Sequence, residues 1–369
     1  MIWRADLAPP TIRSEQNCHP CPQNNRSPTL RKDIGRQVHL ARCPRIRTVY
    51  NLPGLWQMVI MPASGSRHDG TALALQGEGS HGAFTWGVLD ALFESGVKPD
   101  AVSGVSSGAI LAAMAAQGFA RDGQDGARSA MAKFWNRVAA TDWLTTIAKA
   151  FGHWLPRFEI GRDVSNTIAM QGLSAMTSMF GPLSVNPLGQ NPLRPILADL
   201  LDQPALYDPA ASTLYIAATA VDTGRPRIFS NAEITIDALL ASPCLPSVFP
   251  AAIIDGVAYW AGAYSGNPPL APLNARQPRR LILVRAQSRQ RVGVPEKPTE
   301  ILNRIQELAF QTAVEAELSM LPAQTHLIEY NADAALAGLP PASRLNTERA
   351  FLDRLFLAGR AAHRAAEAA

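Results

Sequence analysis

The sequence predicts an α/β fold in which a mostly parallel central sheet is covered by helices on both faces. Short apolar runs that are typical of buried strands alternate with longer runs that favour helices. The clearest examples are Thr71–Leu75 followed by Ala83–Leu92, and Ala101–Ser103 followed by Ala109–Ala116. The chain has 369 residues, of which 47% are hydrophobic and 17% charged, which is enough material for a large buried core.

The same alternation continues toward the C-terminus. Leu214–Ala220 has the apolar, β-branched composition of a central strand, and Ile254–Val257 is predicted to form a hairpin turn. The remaining predicted elements are a buried strand at Arg280–Arg285, an amphipathic helix at Thr299–Leu318, a strand at His326–Tyr330 and a terminal helix at Thr347–Ala366.

Composition divides the chain into three parts. Residues 1–68 contain ten Lys or Arg and three Asp or Glu, with no sustained periodicity, and we expect a disordered or weakly ordered basic segment. Residues 69–276 form the main predicted domain, with a helical, aromatic and Met-rich cap-like insertion at 121–200. Residues 277–369 are expected to complete the same globule.

A serine stands at the apex of a predicted strand–turn–helix unit, Gly104-Val105-Ser106-Ser107-Gly108. Small residues at Gly104 and Gly108 let the strand and the helix approach closely. This arrangement exposes a strained serine hydroxyl at a helix N-terminus and is typical of a nucleophile elbow. The alternative interpretation is a junction of small residues with no chemical role.

A glycine-rich loop follows the first strand and includes Gly77, Glu78, Gly79, Ser80, His81 and Gly82. Such a loop presents backbone N–H groups that stabilise an anion, either a phosphate or the oxyanion of acyl transfer. The glycine spacing also fits a dinucleotide-binding pattern. That pattern requires an acidic residue at the end of the second strand, whereas Asp100 precedes the strand, so an oxyanion hole is favoured.

Three blocks resemble the patatin-like phospholipases, which are serine lipid acyl hydrolases: the glycine loop Leu75–Phe84, the elbow Gly104–Ala109, and the segment from Ala241 to Pro269. The resemblance covers residues 70–276 well, the C-terminal part loosely and residues 1–68 not at all. It implies a three-layer patatin-like fold, a Ser–Asp dyad with Ser106 as the nucleophile, an oxyanion hole in the glycine loop, a lipid or ester substrate and no cofactor or metal.

The third block departs from the family at the dyad base. Ala261 stands where the family has the catalytic aspartate, and Asp255 lies six residues earlier in the predicted hairpin turn, where we expect it to be solvated. Glu78 is a second departure, because the family commonly has glycine there. A carboxylate that faced the oxyanion hole would oppose the developing charge. The resemblance therefore implies a hydrolase with reduced or lost activity, and a pseudoenzyme is one outcome.

Other reactive side chains are interpreted as structural. His326 at a strand start and His363 on a polar helix face are expected to be structural or solvated, while His81 lies in the loop where it could face a substrate. Cys244 is expected to be a buried thiol. The pair Cys18 and Cys21 has no matching second pair of ligands, which argues against a zinc site.

Three functions remain open: a weakened patatin-like hydrolase, a lipid-binding relative without catalysis, and a nucleotide-dependent α/β enzyme that uses the Gly77–Gly82 loop. Residues 1–68 have a formal net charge of +7 and residues 69–369 one of −3, so the positive charge of the chain comes from the first segment and the rest has no charge that favours nucleic acid. No secretory signal or transmembrane segment is evident, so we expect a cytoplasmic protein whose contact with membranes is peripheral. The sequence does not define the oligomeric state.

Overall fold

An eight-stranded mixed sheet lies at the centre of the computed structural model, which describes residues 70–141, 189–209, 211–246, 249–290, 293–296 and 298–368. The strands are β1 (Thr71–Leu75), β2 (Ala101–Gly104), β3 (Thr213–Ala220), β4 (Pro226–Ser230), β5 (Ala252–Ile254), β6 (Val257–Ala261), β7 (Arg280–Arg285) and β8 (His326–Asn331). Their order is β5-β6-β3-β2-β1-β7-β8, and β4 pairs with β3.

Helices connect these strands: α1 (Gly82–Glu94), α2 (Ser107–Ala140), α3 (Leu193–Leu200), α4 (Gln203–Leu206), α5 (Ile236–Ala241), α6 (Ala271–Asn274), α7 (Pro298–Leu318), α8 (Asp333–Leu336) and α9 (Arg349–Glu367). The pairs β1–β2, β2–β3, β1–β7 and β7–β8 are parallel, and the pairs that involve β4, β5 and β6 are antiparallel. The predicted α/β fold with a mostly parallel sheet is confirmed.

Both faces of the sheet are buried, as the near-continuous apolar strands predict. Leu73 and Leu75 of β1 join a large core with α1, α2 and α9, whereas the alternate residues Ala72 and Ala74 join a smaller core with α6 and α7. Because successive side chains of a strand point to opposite faces, this division places helices on both sides of the sheet. The described residues belong to one compact unit spanning residues 60–369.

Helix α2 is longer than the sequence suggested. We expected the elbow helix to end near Ala116, but α2 continues to Ala140 across a kink at Asp122 and Gly123. A Cβ atom on Gly118 would lie 2.4 Å from the carbonyl oxygen of Gly126, so the absence of side chains lets the two arms of the helix pack closely. Phe134 and Trp135 of the predicted cap are core residues of α2.

Most of the predicted cap-like insertion, residues 142–188, and all of the predicted basic segment, residues 1–68, lie outside the described residues. Those two assignments stay predictions. In the part of the chain that is described, none of the helices combines the length and apolarity needed to cross a bilayer.

Candidate active site

Ser106 occupies the turn between β2 and α2 in a conformation that is unusual for a serine. Its φ of 55° and ψ of −124° lie outside the regions that non-glycine residues ordinarily adopt. Such a conformation costs about 1–3 kcal/mol and persists only where the surrounding structure enforces it. Ser106 is the N-cap of α2 and is partly exposed, so its hydroxyl lies at the positive end of a helix.

Glycines enforce this geometry from two sides. A Cβ atom on Gly108 would lie 2.4 Å from the carbonyl oxygen of Leu75, and one on Gly104 would lie 2.7 Å from the carbonyl oxygen of Gly108. A Cβ atom on Gly77 would lie 2.4 Å from the Ser106 Cβ atom and 2.1 Å from the carbonyl oxygen of Val105. The glycine loop is therefore in direct backbone contact with the elbow.

Strand pairing brings Ala261 toward the same place. Residues 215–219 of β3 pair with β4 along one edge, so the other edge is shared by β2, which ends with Gly104 opposite Ile216, and by β6, which ends with Ala261 opposite Ala218. Because β2 is parallel and β6 antiparallel to β3, their C-terminal ends point toward each other across Ala217. Ala261 is buried there, with 2% of its surface exposed.

One buried residue contacts both of these chain ends. The Ser242 hydroxyl oxygen accepts a hydrogen bond from the Ser106 backbone N–H at 2.8 Å, and the Ser242 carbonyl oxygen accepts one from the Gly262 N–H at 3.1 Å. The Ala261 N–H in turn donates to the Cys244 carbonyl oxygen at 2.8 Å. The segment after α5 thus joins the elbow to Ala261, the residue predicted to occupy the dyad position.

Most N–H groups of the glycine loop already have acceptors. The Gly77 N–H donates to Asn267 Oδ1 at 3.0 Å, and the Glu78 N–H donates to Ser107 Oγ at 3.3 Å. The His81 N–H donates to the Glu78 carbonyl oxygen at 3.1 Å, and the Gly82 N–H donates to the carbonyl oxygens of Gly79 and Ser80.

Two N–H groups of the loop remain. Within the described residues, the backbone N–H groups of Gly79 and Ser80 donate no hydrogen bond. Gly79 has a φ of +55°, and a Cβ atom there would lie 2.3 Å from the Arg344 carbonyl oxygen, so this position requires glycine on two grounds. An anion bound by this loop would bind at Gly79 and Ser80.

The Glu78 carboxylate forms an ion pair rather than pointing to open solvent. Glu78 Oε1 lies 3.2 Å from Arg344 Nη1, and the Glu78 side chain is only 10% exposed. Arg344 belongs to a 3₁₀ helix at Pro341–Leu345, which reaches the loop from the C-terminal part of the chain. The guanidinium offsets the negative charge that a carboxylate would otherwise bring to an oxyanion site.

His81 is held by the residue that precedes Arg344. Its Nε2 atom is hydrogen-bonded to Ser343 Oγ at 2.8 Å, whereas its buried Nδ1 atom has no partner in the described structure. Burial, aided by the nearby Arg344 charge, lowers the pKa of His81 to about 3. His81 is therefore a neutral, buried group that connects the loop to the C-terminal segment.

The other reactive residues lie where the sequence suggested, with one exception. Asp255 is exposed in the β5–β6 turn, and Cys244 is a buried free thiol whose pKa is raised by desolvation. His326 is exposed at the start of β8. The placement of His363 on a polar helix face is wrong, because His363 is buried and its Nδ1 atom is hydrogen-bonded to the Tyr330 hydroxyl at 3.0 Å.

Within the described residues, no group of three or more His, Cys, Asp or Glu side chains is arranged to hold a metal ion. Cys18 and Cys21 lie outside those residues. The described part of the site is built from backbone N–H groups, hydroxyls, the Asn267 amide, the His81 imidazole and the Glu78–Arg344 ion pair.

Four residues that shape the site had no predicted role. Ser242 and Asn267 lie in the third resembling block, where a polar residue between small or proline neighbours was the only available signal. Ser343 and Arg344 gave no signal, because they are more than 260 residues from the loop side chains that they contact.

The fold and site define an α/β protein with a serine elbow beside a glycine loop at the carboxyl ends of parallel strands. A model of the patatin-like phospholipase family matches residues 73–274, and the chain belongs to that family. A comparison with curated proteins found no match.

Several solved structures are similar to this chain. VipD from Legionella pneumophila has 14% identity and a TM-score of 0.31, with 80% of this chain and 67% of that chain covered. Human GIVD cytosolic phospholipase A2, in complex with methyl gamma-linolenyl fluorophosphonate, has 11% identity and a TM-score of 0.42, with coverage of 82% and 58%. ExoU, in its heterodimeric complex with SpcU from the type III secretion system of Pseudomonas aeruginosa, has 18% identity and a TM-score of 0.24, with coverage of 82% and 60%. The chain thus spans about two thirds of these proteins or less.

Proposed function

We propose that this protein is a lipid acyl hydrolase whose turnover is low because its dyad base is missing. The observation that carries the proposal is the strained conformation of Ser106 at the N-terminus of α2, in contact with Gly77. A serine held in this way is suited to attack a carboxylic ester carbonyl. Membership in the patatin-like phospholipase family supports a lipid substrate.

The proposed mechanism follows the available hydrogen-bond donors. Ser106 Oγ attacks the ester carbonyl as its proton passes to solvent water, and the N–H groups of Gly79 and Ser80 donate to the oxyanion that forms. Collapse of this intermediate breaks the ester C–O bond and expels the alcohol, which takes a proton from solvent. Gly77 and Asn267 position this loop, and Glu78, His81 and Gly82 contribute to its shape rather than donate to the substrate. The acyl group is then released from Ser106 by water, and no cofactor takes part.

The low turnover follows from Ala261. In the family, an aspartate at this position accepts the proton of the serine hydroxyl, and a methyl group cannot do so. Loss of such a base costs on the order of 10²- to 10⁴-fold in rate, while the oxyanion hole and the binding site retain a residual effect. Hydrolysis assisted only by solvent is the proposed activity of the chain as it stands.

The alanine at position 261 also favours a second function, which is lipid binding without turnover. Ala261 is buried, and no carboxylate among the described residues is hydrogen-bonded to the Ser106 hydroxyl. A relative that had lost catalysis would keep the loop, the elbow and the lipid pocket. We expect such a protein, like the hydrolase, to contact membranes peripherally. The nucleotide-dependent alternative has no observation in its favour beyond the glycine spacing.

The test compares the chain with its Ser106→Ala variant. Both are given short-chain p-nitrophenyl esters and phospholipid vesicles, and covalent labelling by an alkyl fluorophosphonate is followed by peptide mass spectrometry. The proposal expects slow hydrolysis and labelling at Ser106, both lost in Ser106→Ala. Saturable lipid binding with neither labelling nor turnover would establish the binding function instead.

A further inference from the structure

Ser242 is completely buried at the C-terminal cap of α5, where its side chain and its backbone face two different parts of the site. The hydroxyl oxygen accepts a hydrogen bond from the Ser106 N–H, and the carbonyl oxygen accepts one from the Gly262 N–H. Ser106 and Gly262 are separated by more than 150 residues, yet both are bonded to the same residue.

The bond to Ser106 holds a backbone that would not rest in this conformation alone. A serine with a φ of 55° and a ψ of −124° is strained, and such strain is kept only where neighbouring groups over-determine it. Close packing against Gly77 prevents the Ser106 backbone from moving toward the glycine loop. The Ser242 hydroxyl is the hydrogen-bond acceptor that fixes the Ser106 N–H from the other side.

The bond to Gly262 fixes the second component. Gly262 follows the last residue of β6 and lies against β3, where a Cβ atom would be 2.2 Å from the Ala217 carbonyl oxygen. Its N–H donates to Ser242, and its predecessor Ala261 donates to Cys244. The position of residue 261 relative to the elbow is thus set by the segment that begins at Ser242.

We propose that Ser242 is a positioning residue for the reaction at Ser106, and that it fixes the position of residue 261 relative to the nucleophile. The inference rests on the proposed hydrolase function. Ser242 itself does not touch the substrate, because it is completely buried. Its hydroxyl keeps Ser106 Oγ at the right place and angle, for which displacements of about 1 Å can cost 100-fold in rate.

The experiment uses the full chain in two backgrounds, the chain as it stands and its Ala261→Asp variant. Ser242→Ala removes the acceptor, and Ser242→Thr keeps a hydroxyl. Ser212→Ala is the matched control, because Ser212, like Ser242, is a buried serine whose hydroxyl is hydrogen-bonded to the backbone. The Ser212 hydroxyl donates to the Pro99 carbonyl oxygen at 2.6 Å. Ser212 lies just before β3 begins, at the end of the sheet opposite the elbow.

We expect Ser242→Ala to lower the maximal rate of fluorophosphonate labelling, and kcat for a short-chain ester, by about 10- to 100-fold. KM and the half-saturating label concentration should change by less than about threefold, because binding is not the step that is disturbed. Ser242→Thr should retain most of the rate. Ser212→Ala should lose stability without losing rate.

Three outcomes would overturn the inference: a folded Ser242→Ala variant that reacts at the parent rate, a change confined to KM, or an equal rate loss in Ser212→Ala. If Ser242→Ala does not fold, Ser242→Cys, a weaker acceptor, should show the same selective loss of rate, and a parental rate would refute the inference. If neither parent background reacts, the proposed function fails. In that case the hydrogen bond is tested by amide hydrogen exchange, because the bond to Ser242 should protect the Ser106 N–H. An exchange rate at Ser106 that is the same in the parent and in Ser242→Ala would refute the inference.

Discussion

Ala261 lies opposite Ala218 on β3, two positions beyond the point where Gly104 at the end of β2 lies opposite Ile216. The two strands share one edge of β3 and meet end to end. This arrangement brings the end of β2, which leads into Ser106, toward Ala261, although the two segments are far apart in sequence. The strand pairing is therefore compatible with the proposed dyad, in which an aspartate at position 261 would serve Ser106.

Gly77→Ala should abolish the reactivity of Ser106. The added methyl group would lie 2.1 Å from the Val105 carbonyl oxygen and 2.4 Å from the Ser106 Cβ atom, so the loop or the elbow must move. We expect at least about a hundredfold loss in the rate of fluorophosphonate labelling. Gly96→Ala is the control, since Gly96 has a φ of +92° and open space around it, and its substitution strains the backbone away from the site. Equal labelling by both variants would contradict the contact.

Asn267→Ala should destabilise the glycine loop. Asn267 is fully buried, its Oδ1 atom accepts from the Gly77 N–H at 3.0 Å, and its Nδ2 group donates weakly to the Gly77 carbonyl oxygen at 3.5 Å. A buried N–H that loses its acceptor costs about 1–3 kcal/mol. Urea denaturation should show a decrease of this size in the free energy of unfolding, together with slower labelling of Ser106. An unchanged free energy of unfolding would show that another group replaces the amide.

The Glu78–Arg344 ion pair predicts that substitutions of the two residues have non-additive effects on the labelling rate. Arg344→Ala leaves the Glu78 carboxylate without its guanidinium beside the proposed oxyanion site, so labelling of Ser106 should slow by about tenfold. Adding Glu78→Gln to that variant should restore much of the rate, because the negative charge of the carboxylate is then removed. Additive effects of the two substitutions on the labelling rate would argue that Glu78 does not act on the site through its charge.

His81 predicts how stability depends on pH. Its pKa is about 3 in the folded protein and near 6.5 when exposed, so between these values the unfolded chain binds a proton that the folded chain does not. The stability that the folded protein gains from keeping His81 neutral is fully present above about pH 6.5. It is lost as the pH falls toward 3, and the free energy of unfolding decreases by at most about 1.4 kcal/mol per pH unit. The excess stability of the parent over His81→Gln should therefore shrink between pH 7 and pH 4. Parallel pH profiles of the free energy of unfolding would contradict the burial of His81.

The elements that carry the site could be predicted because their signals are local. β1 and α1 flank the glycine loop, β2 and α2 flank Ser106, and both units follow from short apolar runs, glycine spacing and a helix-forming segment. Helix α2 was predicted too short, because Gly118, Gly123 and Gly126 are typical of a helix end. In the structure these glycines permit a kink and close packing instead.

Contacts between distant segments could not be predicted in the same way. The environment of His81 depends on Ser343, and that of His363 on Tyr330. Whether Glu78 faced solvent depended on Arg344, which nothing in the local sequence indicates. A single sequence contains the residues of such pairs but not the pairing, which is set by how the C-terminal segment packs on the loop.

The proposal that Ala261 replaces the dyad base is tested most directly by placing a carboxylate at position 261. Hydrolysis of a short-chain ester is measured for the chain as it stands, for Ala261→Asp, for Ala261→Asn as an uncharged control of similar size, and for Ser106→Ala in the Ala261→Asp background. We expect a rise of at least about a hundredfold with aspartate, none with asparagine, and loss with Ser106→Ala. A folded Ala261→Asp variant that remained silent, or fast Ser106-dependent turnover by the chain as it stands, would contradict it.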